Sequence, residues 1–568
     1  MKRPLHSDLR SKVTAPLPHV IPDVENWPIY ALSRDKERFL DEVMAKTRRE
    51  FLNRHDDRDA FHAELKSILY QEKIRLTRTP WSSDGPHERD FWTDAKRRIL
   101  LSSDMTSAKE RYKEDLDMLD DILGFYTDEI VAHFDVKAYR LARTVLPWVY
   151  ARLMNASPSR WTRFLSSSGK TVYDKIRIIG PVDHIRTLAK RGTLVVVPTH
   201  FSNLDSPTIG LTLEFMGLPA MTYGAGINLF TVKVLSYLMN NLGAYKVDRR
   251  RKNELYLEVL KNYSSVALQR GAHSLFFPGG TRSRSGSLEK KLKLGLLGTA
   301  IEAQRLSLMQ FPAETARSIY IVPVTLNYHF VLEARNLIRQ HLAMEGKEQY
   351  LIEDSTPSTS YTILKLLFKF LTATPGMTIS FGAPMDVFGN TVDPDGHSIG
   401  NTGGTVELAD YFSFNGEIRE DKQRDAVYTR QLGDAILDSF SRHNTVLSSH
   451  LMAFTAFEML QRRFPGFDLY QILRLPDDEA WVSYTEFAVT IERLRGQLIK
   501  LYEAGRVLLA PQIFDDVDKL IAHGLKNMGV YHTERVLYRT EDRVASEDLQ
   551  LLYFYHNRLD GYDLGRHV

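Results

Sequence analysis

Residues 193–198 read TLVVVP, an apolar run with no polar alternation. Successive side chains of a strand point to opposite faces, so a strand with one wet face alternates apolar and polar residues. An unbroken run suits a central strand covered on both sides. Further β-rich runs follow at GAYKVD (243–248), HSLFFP (273–278), IYIVPVTL (319–326) and MTISFG (377–382). Helix-length stretches separate them, such as NELYLEVLKNYSSVALQRG from Asn253 to Gly271. This alternation predicts an α/β fold, a mostly parallel sheet with flanking helices. Pro323, inside the fourth run, points to an edge strand, a bulge or a strand end.

The flanks have a different texture. Phe39, Val43, Met44, Phe51 and Leu52 recur at helical spacing, and residues 106–134 continue the pattern. Pro80 and the SSDGP stretch break it as a loop. The reading is a helical N-terminal region over 1–165 and an α/β core over 166–390. A Gly-, Asp- and Asn-rich loop or linker over 391–422 and a helical C-terminal region over 423–568 follow. A length of 568 residues fits such a division, because it exceeds one typical core.

Composition removes several function classes. A net charge of +3 is too small for the basic footprint of a nucleic-acid binder. With no cysteine there is no disulfide, thiolate metal site or cysteine nucleophile, which is compatible with a reducing cytoplasm. The first twenty residues lack the apolar segment of a signal peptide, and no apolar stretch approaches the ~20 residues that span a bilayer. Any membrane contact is therefore expected to be peripheral. SSSGKT (166–171) ends like a phosphate-binding loop, but Phe164 stands where the leading glycine belongs. GAGINL (224–229) lacks the third glycine of a dinucleotide fingerprint. Neither a G-x-S-x-G elbow nor an H-E-x-x-H zinc pattern occurs, and no metal site is expected.

Beyond TLVVVP the chain continues THFSNLD, placing His200 past a strand end and Asp205 five positions on. The carboxyl ends of strands in an open α/β sheet are where ligands bind. Two readings fit. Asp205 or Ser206, followed by Pro207, could cap a helix. Alternatively, a tight turn could bring Asp205 to the imidazole, fixing its tautomer and leaving the other nitrogen as a general base. GAYKVDRRRKN (243–253) ends a strand in Asp248, Arg249, Arg250, Arg251 and Lys252, either a solvated face or cations aimed at the same crevice. In LFFPGGTRSRSG (275–286), Gly279 and Gly280 permit close approach of backbone to an anion. Thr281 and Ser283 complete the loop, and Arg282 and Arg284 add charge. Lys290, Lys291 and Lys293 then crowd a helix start, against the helix dipole, a conflict that an anionic ligand would resolve.

These blocks, in this order, resemble the H-x4-D glycerolipid acyltransferases. His200 to Asp205 is similar to the first block, GAYKVDRR to the second, FPGGTRSRSG to the third and IVPVTLNY to the fourth. AGINLF, NELYLEVLKNY, SFGAPM and LLYFYHNRL narrow the likeness to the branch of glycerol-3-phosphate and dihydroxyacetone-phosphate acyltransferases. The resemblance covers residues 170–390 and extends more weakly into the C-terminal helices. It implies His200 as general base, Asp205 as its partner, and Arg249, Arg282, Arg284 and Lys293 as phosphate ligands. It further implies glycerol 3-phosphate as acceptor and acyl-CoA or acyl carrier protein as co-substrate. No cofactor or covalent enzyme intermediate is implied. Dihydroxyacetone phosphate and 1-acylglycerol-3-phosphate are alternative acceptors; a non-catalytic acyl- or phosphate-binding protein is the alternative of another class. In one respect the chain departs from the pattern: the third block usually has glutamate before its glycine, and here that residue is Gly279.

A lipid-like product implies a peripheral site on the cytoplasmic face of the membrane. YTILKLLFKFL (361–371) carries Lys365 and Lys369 on one helical face among apolar residues, which suits either an interfacial helix or a packed core helix. If the segment lies on the membrane, Lys365→Glu with Lys369→Glu should weaken binding to anionic liposomes, since each lysine near such a surface contributes about 1 kcal/mol. Unchanged co-sedimentation with liposomes assigns the segment to the core.

Overall fold

TLVVVP forms β2, in the middle of a seven-stranded sheet. The computed structural model describes residues 13, 15–81, 84–105, 107–144, 176–227, 233–345, 376–530 and 532–568. The strands are β1 (Ile176–Ile179), β2 (Thr193–Pro198), β3 (Thr222–Gly226), β4 (Ala244–Val247), β5 (Ser274–Leu275), β6 (Ile319–Tyr328) and β7 (Met377–Phe381), arranged β1-β7-β6-β2-β5-β3-β4. All neighbours run parallel except β6 and β7. Every residue of β2 is buried, and the two faces of the strand feed different cores. Leu194 and Val196 join one apolar cluster, whereas Val195 and Val197 join another. The absence of polar alternation thus has its physical cause in layers on both sides.

Pro323 is not on an edge: β6 lies between β7 and β2. It sits where the β6–β7 ladder breaks. Ile321 exchanges bonds with Met385, β7 pairing begins at Val324 opposite Phe381, and Pro323 offers only its carbonyl, to the Gly382 N–H. A bulge-like interruption tolerates the missing donor.

Helices of seven residues or more are numbered in order. The N-terminal set is α1 (Pro28–Arg34), α2 (Lys36–Arg54), α3 (Arg58–Arg78), α4 (Pro86–Ser103) and α5 (Ala108–Ile130). The sheet region carries α6 (Val182–Arg191), α7 (Asp205–Phe215), α8 (Lys233–Asn241), α9 (Glu254–Gln269), α10 (Gly295–Gln310) and α11 (Ala334–Glu345). Beyond it lie α12 (Lys422–His443), α13 (Ser448–Arg463), α14 (Tyr484–Glu503), α15 (Val517–Asn527) and α16 (Leu549–His556). Leu297 and Ile301 of α10 and Leu432, Ile436 and Phe440 of α12 pack under the Val195 face. Phe454 and Phe457 of α13 and Leu551 and Leu552 of α16 share one cluster with Val196 and Ile178. The C-terminal helices are therefore built into the same core as the sheet. Residues 391–422 hold short paired strands at 391–392, 398–399, 405–406, 413–414 and 417–418, and Phe412 beside them is fully buried. Among the described residues no helix is long and apolar enough to cross a membrane. Residues 361–371 and 166–171 lie outside the described residues.

The N-terminal helices pack on α9, with Phe39, Phe61, Ile122 and Tyr126 meeting Leu255, Val259 and Tyr263. A buried charge cluster completes the joint. Arg251, its side chain fully buried, contacts Glu88 at 2.7 Å and Glu129 at 2.5 Å and lies 5.0 Å from the Tyr126 ring. Arg250 contacts Asp84 at 2.6 Å and Asp248 at 2.7 Å and covers Trp81 at 4.1 Å. Asn253 caps α9 by accepting the Tyr256 N–H at 2.8 Å and donates to Glu72 at the same distance. Burial alone would lower the Arg251 pKa; the charges of Glu129 and Glu72 outweigh it and hold the pKa above its ordinary value. Burial raises the Glu129 carboxyl to about 7 against the pull of Arg251. Removing one member of such a cluster strands the others without compensation. Arg251→Met should therefore reduce unfolding free energy by about 3–5 kcal/mol, measured by urea denaturation.

Candidate active site

The chain leaves β2 at Pro198, and the amide of Thr199 still donates to the Val324 carbonyl at 2.9 Å. It then turns sharply, with the Asp205 N–H donating to the Ser202 carbonyl at 3.1 Å, and α7 begins at Asp205. This turn folds the carboxylate back over the preceding residues. Asp205 Oδ2 accepts from His200 Nδ1 at 2.7 Å and from the backbone N–H groups of Phe201 at 2.6 Å and Ser202 at 2.8 Å. Its Oδ1 accepts the Tyr328 hydroxyl at 2.7 Å. No side chain caps α7, whose preceding residue is Leu204. The carboxylate thus serves the loop and the imidazole, and the helix-cap reading is set aside.

Asp205 is fully buried, while the His200 side chain keeps 13% exposure. An ionised carboxylate only accepts, so Nδ1 carries the imidazole proton and Nε2 presents a lone pair. Among the described residues Nε2 has no hydrogen-bond partner. The ring stacks on Phe277, centroids 4.2 Å apart. An oriented imidazole with one bound and one free nitrogen is suited to remove a proton from a substrate hydroxyl.

Several side chains around the pair had no assigned role in the sequence reading. Tyr328 ends the fourth block and reaches Asp205 because β6 runs beside β2. Glu333, just before α11, accepts from the Asn203 N–H and the Ser202 hydroxyl, each at 3.0 Å. Glu289 accepts the His200 backbone N–H through Oε1 at 2.8 Å. Arg558, beyond α16, donates to the Leu326 carbonyl and to Asn327 Oδ1, each at 2.6 Å, and covers the Phe201 ring at 4.0 Å. Burial lowers the Arg558 pKa to about 10, with Glu289, Tyr562 and Asp205 pulling the other way. Glu289 stands just before the three counted lysines and Arg558 inside LLYFYHNRL, but only the folded chain brings them to His200.

The basic residues divide. Of the run at 248–252, Asp248, Arg250 and Arg251 turn into the N-terminal joint, leaving Arg249 exposed and without an ion-pair partner among the described residues. Partial burial lowers the Arg249 pKa, and the nearby Arg282 charge adds to the effect. Arg282 is 3.4 Å from Glu333 Oε1, with 30% of its side chain exposed. Arg284 points its guanidinium at the Met344 sulfur, 3.0 Å away. Lys293 is exposed, its backbone N–H donating to the Pro278 carbonyl at 2.7 Å, and its stem covers Gly280, whose φ of +74° favours glycine. The exposed Thr281 leads to Ser283, whose N–H donates to the His200 carbonyl at 2.7 Å and so ties the loop to the pair. Gly279 packs against Glu289. The C-terminal region holds this loop from outside: a Cβ at Gly286 would fall 2.1 Å from the Phe554 carbonyl, and Asn557 donates to the Ser285 carbonyl at 3.0 Å. Among the described residues no group of three or more His, Asp or Glu is arranged to hold a metal ion.

Residues 181–327 match the family model described as acyltransferase. The chain is 24% identical over 271 residues to the glycerol-3-phosphate acyltransferase of Pseudomonas paraeruginosa, covering 48% of this chain and 29% of that protein. It is 29% identical over 226 residues to the glycerol-3-phosphate acyltransferase of Aeromonas hydrophila subsp. hydrophila, covering 39% of this chain and 24% of that protein. The chain thus spans less than a third of the length of these relatives. The resemblance read from the four blocks is borne out. Tyr328, Glu333 and Arg558 lie beyond the matched family segment.

Burial raises the Glu289 carboxyl from 4.5 to about 7, assisted by Asp205 and opposed by the His200 amide and Arg558. The fold therefore favours the protonated acid. Its stabilising contribution is complete below about 4.5 and is lost as pH rises through about 7. Over that window the wild type should lose melting temperature relative to Glu289→Gln, which cannot ionise; parallel pH profiles from scanning fluorimetry would contradict this.

Proposed function

We propose that the chain is an O-acyltransferase that transfers a fatty acyl group from acyl-CoA or acyl carrier protein to the sn-1 hydroxyl of glycerol 3-phosphate, a step of phospholipid biosynthesis. One observation carries the reading: His200, its Nδ1 held by Asp205 and its Nε2 without a hydrogen-bond partner among the described residues, stands on a turn that the Ser283 N–H ties to the loop carrying Arg282. The acyltransferase-family match over residues 181–327 and the names of the two relatives support it.

In this mechanism His200 Nε2 takes the proton from the acceptor hydroxyl as the oxygen attacks the thioester carbonyl. Asp205 stabilises the imidazolium that forms. When the carbon–sulfur bond breaks, the imidazolium returns the proton to the departing thiolate. Arg249, Arg282, Arg284 and Lys293 bind the acceptor phosphate, and the loop of Gly279, Gly280, Thr281 and Ser283 frames it. A guanidinium without a carboxylate partner, as Arg249 is among the described residues, suits a dianion. Because the product is lipid-like, the enzyme works at the cytoplasmic face of the membrane as a peripheral protein.

The test offers labelled acyl-CoA or acyl carrier protein with glycerol 3-phosphate, dihydroxyacetone phosphate and 1-acylglycerol-3-phosphate in turn. Transfer should be fastest to glycerol 3-phosphate. His200→Ala should lower kcat by about 10²–10⁴, and Arg249→Ala should act mainly on KM for the acceptor. Transfer that survives His200→Ala would overturn the general-base assignment, and no transfer to any acceptor would leave a ligand-binding protein.

A further inference from the structure

We propose that Glu289 is a positioning residue for His200, and that it fills from ten positions along the chain the space of a side chain at 279. Three observations converge. The Glu289 Oε1 atom accepts the backbone N–H of His200 at 2.8 Å, at the point where that amide has left the β2 ladder. The second oxygen, Oε2, is buried without a hydrogen-bond partner. A Cβ built on Gly279 would lie 3.1 Å from Glu289 Cγ and 3.3 Å from Oε1.

The last distance ties position 279 to Glu289. Gly280 has φ of +74°, a conformation that asks for glycine, but Gly279 is not among the positive-φ residues. Backbone conformation therefore does not require glycine at 279; a side chain there would instead press on Glu289, which would have to shift by a few tenths of an ångström. The third block of similar acyltransferases has glutamate at that position, and in this chain the carboxyl arrives from the opposite end of the loop. Positions 279 and 289 are two sources of one group. Arg558 acts on Glu289 and Asp205 alike, so the two carboxyls that hold His200, one at its backbone amide and one at its ring, share a cation.

With the Glu289 carboxyl removed, the part-buried His200 amide loses its acceptor and the turn can tilt. A displacement near 1 Å at a reacting group costs about 10²-fold in rate.

The test compares the wild type with Glu289→Gln, Glu289→Ala, Gly279→Glu and the double variant Gly279→Glu/Glu289→Ala. Since kcat rests on the acyl-transfer reading, melting temperature and carbethoxylation of His200 by diethyl pyrocarbonate are measured alongside it. Glu289→Ala should lower kcat about 10²-fold while KM for glycerol 3-phosphate changes less than about threefold. Glu289→Gln should stay within about tenfold of wild type, because its amide oxygen can accept the same N–H. Gly279→Glu alone should lose activity and melting temperature, since two carboxyls meet in one volume. The double variant should exceed Glu289→Ala by about tenfold or more, against the additive expectation. A kcat for Glu289→Ala within about threefold of wild type, or additive effects in the double variant, overturns the proposal. Should the wild type transfer no acyl group, the acyl-transfer reading falls and the other two measurements decide. Non-additive melting with altered carbethoxylation of His200 in Glu289→Ala sustains the positioning role; additive melting with an unchanged rate overturns it.

Discussion

The candidate site is organised around one buried carboxylate. Asp205, with no exposed surface, collects four donors: the His200 imidazole, two backbone amides and the Tyr328 hydroxyl. A buried ion without such partners would be far too costly to keep charged. Meeting the demand fixes much else. The turn after β2 must be tight enough to present two amides, and β6 must run parallel beside β2 to bring Tyr328 alongside. As a consequence of satisfying the carboxylate, the imidazole has one nitrogen bound and, among the described residues, the other without a partner.

Around that centre the charges are sorted by burial. The arginine run after β4 looks uniform in sequence, yet its members do unlike work. Arg250 and Arg251 are consumed by carboxylates of the N-terminal region, while Arg249 remains exposed. The N-terminal region thus takes a structural share of a block that also serves the candidate site. The charges nearest the pair, Glu289 and Arg558, come from separate parts of the chain and moderate each other across it.

Local physics was legible in the sequence, and long-range physics was not. TLVVVP announced a doubly covered strand because burial on both faces abolishes alternation. His200 and Asp205, and the glycine–arginine loop, were readable because their partners lie within a few residues or follow a strand end. Two strands escaped: β1, whose four residues give little pattern, and β3, where glycines dilute it. The divided arginine run, the reach of Tyr328 and the arrival of Arg558 depend on strand order and helix docking, which no linear spacing encodes. Glu289 was hidden differently, since the lysines that follow it made it look like one more surface charge.

The grip of the C-terminal region on the glycine–arginine loop has a kinetic consequence. Gly286 lies under the Phe554 carbonyl, and Asn557 holds Ser285, 272 positions earlier. During synthesis, β2, β5 and β6 leave the ribosome well before those residues do. Contacts of such sequence separation form late, because the intervening chain must be ordered before they reward closure. The sheet and the His200–Asp205 turn can therefore assemble while the loop beside them still lacks its outer clamp. Synthesis of the last helix acts as a timer, delaying a fully set site until nearly the whole described chain has folded.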